Sequence, residues 1–276
     1  MTAARVVPGS ARVALGRAEV AREVRAADRL AHELRAPVTA RAPWLTAVLN
    51  QGAAHRFAPR PAAVVVDGEP GGPPLAAAFL SLRRRGPVTE VSLLGQLASP
   101  LPPGGPTASL PARDEAAAER LAAGILGLLE SRRGPWSLRL TGLPLGDPTV
   151  RALAARLPTA VVANARSTRL VDALDGPVER RADARFLERW LPDLLAALPD
   201  RRARDFVRGA ARLHAAAGRL ELAVVADGGR LRAGLLTLVE GADRRPWWGT
   251  APAGGLTGGM GAPVVGLTAP GRRWPR

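Results

Sequence analysis

Ala63-Val64-Val65-Val66-Asp67-Gly68 and Ala223-Val224-Val225-Ala226-Asp227-Gly228 are nearly the same six-residue phrase, used twice. Each is a run of small and β-branched residues that stops at Asp-Gly, the composition of a strand entering a tight turn. Past the turns the next segments align as well, Ala78-Phe79-Leu80-Ser81-Leu82 against Gly234-Leu235-Leu236-Thr237-Leu238. Upstream of each hairpin lies a helical pattern. Helix, strand, Asp-Gly and strand thus recur in one order, as a tandem duplication would leave them. Hairpins also recur in α/β chains without duplication, so the phrase alone leaves both origins open.

Working outward, Val20, Val24, Ala27, Ala31 and Leu34 are spaced by three and four and predict a helix over Glu19 to Leu34, closed before Pro37. Pro43 suits the first turn of a second helix carrying Trp44, Leu45, Val48 and Leu49. Val88 to Leu94 reads as a third strand, and the Pro/Gly-rich stretch from Ser99 to Pro111 as a long loop. A helix over Asp114 to Ser131 has acidic residues first and Arg132-Arg133 last, as its dipole favours. Ser137 to Leu140 is a strand, Asp147-Pro148 starts a helix to Leu157, and Thr159 to Val162 and Ser167 to Val171 are short strands. In the second half, helices over Ala184 to Leu198 and from Asp200 to Gly218 precede strands Leu220 to Ala226 and Leu231 to Val239.

Composition narrows the function classes. A chain of 276 residues with 47% hydrophobic and 23% charged residues can bury one or two cores. It contains no apolar run long enough for a membrane helix, and its first residues, Met1 to Glu19, lack the apolar centre of a signal peptide, so a cytoplasmic protein is expected. Without cysteine there is no disulfide or thiol chemistry, and His32, His55 and His214 are too scattered for a local metal motif, so no metal is expected. The net charge of +15 invites a nucleic-acid partner, yet all 39 basic residues are arginine and tyrosine is absent, as a GC-rich coding sequence produces. Few aromatics, 4%, leave little for bases to stack on.

Candidate functional residues are few. Arg201, Arg204, Arg208 and Arg212 share one face of the helix after Asp200 and would attract a phosphate-bearing ligand, or else form its solvated side, with Asp205 neutralising part of the charge. Glu240 ends the second hairpin, where a carboxylate could act as a base, and His214 lies beside the apolar side of the arginine helix. Gly254 to Gly261 has the composition of a phosphate loop, but no helix follows it. Trp247-Trp248 reads as packing at a strand end.

The order of elements resembles the FemAB-like, or BioF2-like, branch of the GNAT acyltransferases, proteins built from two GNAT-like halves. The likeness rests on Pro43-Trp44-Leu45, the Asp67-Gly68 hairpin, Arg83-Arg84-Arg85-Gly86, Leu94-Gly95, Pro135-Trp136, Leu140-Thr141-Gly142-Leu143-Pro144 and the helix with Arg201-Arg202-Ala203-Arg204. It implies an α/β fold of tandem GNAT-like halves, with mixed sheets flanked by helices. The implied division is a first half over 1–177, a shortened second half over 178–245 and a poorly ordered Gly/Pro-rich tail over 246–276. It further implies transfer of an acyl group from acyl-CoA, or of an aminoacyl group from tRNA, to an amine, with Arg201, Arg204, Arg208 and Arg212 attracting the donor and Glu240 as catalytic candidate. A non-catalytic GNAT-like binding or scaffold protein is the alternative, because the Arg/Gln-x-x-Gly-x-Gly/Ala loop of such enzymes is missing here and the second half is shortened.

Overall fold

The computed structural model describes residues 11–55, 58–69 and 71–271. The elements in chain order are β1 (Arg12–Leu15), α1 (Arg17–Glu33), α2 (Ala42–Ala53), β2 (Arg60–Asp67), β3 (Pro74–Arg85), β4 (Val88–Leu93), α3 (Glu115–Glu130), β5 (Trp136–Pro144), α4 (Pro148–Arg156) and β6 (Val161–Asp172). They continue with β7 (Val178–Arg181), α5 (Ala184–Ala196), α6 (Arg201–Ala216), β8 (Leu220–Asp227), β9 (Arg230–Glu240), β10 (Asp243–Thr250) and β11 (Leu256–Pro270). The fold is therefore mixed α/β, and none of its described helices is long and apolar enough to cross a membrane.

Two compact units divide the chain, the first comprising 1–96, 106–165 and 263–276 and the second 97–105 and 166–262. Neither is a continuous segment, unlike the expected division at 177. Residues 246–270, expected to be a poorly ordered tail, instead finish β10 and form β11, and Val264–Pro270 pairs with β5 in the first unit. The composition misleads because a strand needs backbone partners more than large side chains, and β5 supplies them. Trp274 lies outside the described residues.

The seven-stranded sheet has the order β1-β2-β3-β4-β5-β11-β6, with β1 to β5 in the first unit. The pairs from β1 to β4 and the β5–β11 pair are antiparallel, while β4 and β5 run parallel. β2 has no polar alternation because both its faces are covered. Ala62, Val64 and Val66 face α3, in one core with Leu121 and Ile125. Ala63 and Val65 face the other way, in a core with Val20 and Val24 of α1 and Leu45 and Leu49 of α2. Gly124 lets α3 come close to the sheet, since a Cβ there would stand 2.3 Å from Ala11 Cβ and 2.7 Å from Val64 Cγ1.

The second unit has a four-stranded sheet, order β10-β9-β8-β7, with every neighbour antiparallel. α5 and α6 bury Phe186, Trp190 and Leu194, and Phe206, Val207 and Ala210. Strand for strand this repeats β1-α1-α2-β2-β3-β4, and the pairing registers agree. Val64 opposes Ala78 as Val224 opposes Gly234, and Arg12 opposes Val65 as Val178 opposes Val225. The hairpin turns differ. β8 and β9 turn through Gly228 and Gly229 alone, both at positive φ (54° and 77°), whereas Asp67 pairs with Pro74 across a longer loop.

Candidate functional site

Two strand edges could hold a ligand, one in each unit. In the first unit β4 and β5 are paired only from Thr89↔Trp136 to Ser92↔Arg139, after which β4 ends at Leu93 and β5 continues to Pro144. A gap at the carboxyl ends of parallel strands is the customary ligand position in such sheets. Here the chain fills it. Thr107 and Ala108 both donate their N–H groups to Gly142 O of β5, at 2.9 and 3.1 Å. On the β3 side Ala77 N–H donates to Pro111 O at 3.0 Å, Arg113 N–H to Leu75 O at 2.8 Å, and Ala112 bridges Ala76. Residues 107–113 thus stand where β4 would have continued.

The filling segment is part of the core. Leu110 is buried among Leu80, Leu121 and Leu143, and its backbone also bonds to Asp147. Gly142 has φ 73°, and a Cβ on it would come within 2.1 Å of Thr107 Oγ1, so that position requires glycine for both reasons. Asp147 caps α4, accepting from Thr149 N–H at 2.9 Å and Val150 N–H at 3.1 Å. Burial raises its carboxyl to about 6, against the opposing pull of those backbone donors.

The acyl-CoA implied by the resemblance would need an open edge for its amide arm and a helix N-terminus for its diphosphate. The first unit fits neither need. The amino end of α3 holds the chain's own Asp114 carboxylate, which accepts from Ala117 N–H at 2.7 Å, and Glu115 adds negative charge in the first turn. In the second unit no helix follows β10, because the chain turns through 251–255 into β11. Among the described residues, neither the amino end of α3 nor the chain after β10 therefore offers the diphosphate a cradle.

β10 is the last strand of its sheet, and it differs from β4, its counterpart, by one residue. Its register passes from Pro246↔Thr237 to Trp248↔Leu236, so Trp247 is an extra residue in a bulge, whereas the β3–β4 ladder is regular. The Trp247 side chain is buried, and its indole N–H donates to Pro100 O at 2.9 Å. The tryptophan pair is therefore divided between core packing by Trp247 and a half-buried Trp248.

The sequence candidates do not converge on this bulge. Arg212 grips Glu188 of α5 through two hydrogen bonds of 2.7 and 2.6 Å, which depresses the Glu188 carboxyl and raises the guanidinium. Arg208 and Arg201 both pair with Asp205, at 3.0 and 3.8 Å, and Arg204 donates to Leu198 O at 3.1 Å. Arg212 and Arg204 thus brace α6 against α5 and the loop between them, while Arg201 and Arg208 pair within α6. Glu240 lies at the β9–β10 turn opposite Asp243, three residues from Thr237 and so about 10 Å along the strand from the bulge. His214 is fully buried on α6, and burial lowers its imidazole to about 4, which leaves it neutral and removes it from acid/base work near pH 7. The segment Gly254 to Gly261 runs into β11 and opens no helix. Among the described residues no group of three or more His, Cys, Asp or Glu side chains could hold a metal.

Searches for a matching family model and for a curated relative found none. Among solved structures, the chain is similar to a tandem GNAT protein from the clavulanic acid biosynthesis pathway, with 13% identity, a TM-score of 0.42, and 96% of this chain and 100% of that one covered. A GCN5-related N-acetyltransferase from Sphaerobacter thermophilus has 10% identity and a TM-score of 0.35, covering 95% and 96%. A conserved protein of Enterococcus faecalis, described as a probable N-acyltransferase, has 10% identity and a TM-score of 0.31, covering 93% and 72%. At such identities and scores, the activities of those proteins do not transfer to this chain.

Proposed function

We propose that this protein is a GNAT-type N-acyltransferase, moving an acyl group from a thioester of the acyl-CoA class to an amine, with its working edge on β10 of the second unit. The observation that supports it most is the single-residue bulge at Trp247 on an edge strand whose counterpart, β4, is regular and closed off. A bulge takes one residue out of the ladder and re-aims its backbone groups, and acyl transfer asks chiefly for backbone donors placed beside a carbonyl oxygen. Such chemistry works by positioning and needs few acid/base side chains, in keeping with a neutral His214 and a distant Glu240. The thioester would supply the electrophilic carbonyl. This chain contributes the β10 edge and the packing that keeps it rigid, with Trp247 anchored on Pro100 O.

A second reading, a non-catalytic GNAT-like scaffold, is favoured by the first unit, where 107–113 fills the gap beside β5 and Asp114 occupies the end of α3. One experiment separates the two. Free-thiol release from acetyl-CoA is followed with a panel of primary amines, alongside thermal stability at millimolar acetyl-CoA. Amine-dependent release supports the transferase. Neither release nor a raised midpoint leaves the scaffold.

A further inference from the structure

The second unit has a cavity away from the β10 bulge. It is an open groove of about 420 Å³ between the carboxyl end of α5, the start of β9 and the end of β10. Arg230 and Arg232 both line it from the start of β9, Arg232 as the extra residue where the register passes from Leu231 to Ala233. Asp193 and Thr250 also line it.

These two arginines differ from those the sequence singled out. Arg201, Arg208 and Arg212 of the stripe are each ion-paired to a carboxylate, and Arg204 donates to a backbone carbonyl. Arg230 and Arg232 are exposed, and neither forms an ion pair or side-chain hydrogen bond among the described residues. Asp227 opposes Arg230 across the turn and Asp193 shares the cavity wall, yet neither lies within ion-pair distance of the guanidinium groups. Two like charges one strand step apart repel, and a bound oxyanion relieves that repulsion with forked hydrogen bonds. Asp193 places one negative charge in the same wall.

We propose that this cavity binds a small zwitterion, its phosphate or carboxylate held by Arg230 and Arg232 and its ammonium group by Asp193. The site stands on its own geometry, independent of the transferase reading.

The test is calorimetry on the full chain with O-phosphoethanolamine, inorganic phosphate and ethanolamine. O-phosphoethanolamine is expected to bind saturably and at least tenfold more tightly than either half-molecule. The R230A/R232A double variant raises its Kd at least tenfold, while R201A, also at an exposed arginine, leaves it unchanged. D193N reduces the preference for O-phosphoethanolamine over phosphate. No saturable binding below 10 mM, an unchanged Kd in R230A/R232A with native circular dichroism, or equal affinity for phosphate and O-phosphoethanolamine would each overturn the assignment. Turnover is not read in any arm, so failure here is distinct from failure of acyl transfer.

Discussion

Acid acts with opposite sign on two buried groups, one in each unit. Asp147 titrates at about 6 in the folded protein against 3.8 for the free side chain. The folded state therefore holds the proton more tightly, and the first unit gains stability as pH falls through 6 towards 3.8. His214 titrates at about 4 against 6.5, so the unfolded chain binds the proton first and the second unit loses stability as pH falls through 6.5 towards 4. A shift of roughly two units in either case corresponds to about 3 kcal/mol. Measured on the whole molecule the two nearly cancel, and a single global titration would record a flat profile. Hydrogen exchange resolved by segment separates them. Corrected for its intrinsic pH dependence, protection of α4 rises and that of α6 falls between pH 6.5 and 4.5. D147N keeps a capping oxygen but removes the carboxyl, so it flattens the α4 response alone. H214L flattens that of α6 alone. Protection of α6 that does not change with pH would refute the account of His214 as a residue held neutral by burial.

Other outcomes follow from the packing. L110A empties a core position in the segment that closes the first unit and lowers stability by about 2–5 kcal/mol in chemical denaturation. D114A removes the side-chain cap of α3 and costs about 1 kcal/mol by the same measurement. Exposed Arg212, despite its forked bond to Glu188, is worth at most about 1 kcal/mol, so R212A leaves the denaturation midpoint nearly unchanged. G249A is more damaging than its size suggests. Its Cβ would meet Gly234 O at 2.4 Å, a backbone atom that cannot turn aside, so exchange protection falls across β9 and β10 while β2 and β3 keep theirs.

The local elements were legible because their signals are local. The two Asp-Gly phrases marked both hairpins, and the structure gives them corresponding registers, Val64 against Ala78 and Val224 against Gly234. Caps at Asp114 and Asp147 marked their helices, because a carboxylate finds the first-turn N–H groups whatever lies beyond. The short edge strands β1 and β7 escaped notice, since four residues carry no usable periodicity.

What the sequence could not settle depends on partners distant along the chain. Arg201, Arg204, Arg208 and Arg212 form a stripe by spacing alone, and only folding brings Glu188 to Arg212 and Leu198 O to Arg204. The Gly/Pro-rich segments at 99–111 and 254–270 carry few side-chain signals of their own. Backbone groups of β5 order part of each, Gly142 O holding Thr107 and Ala108, and residues 137–144 pairing with 264–270. The sequence by itself determined most helices and the two hairpins, through short-range spacing. Tertiary structure decided which edge was filled and, among the described residues, which arginines were left without a carboxylate, because each depends on what the fold places opposite.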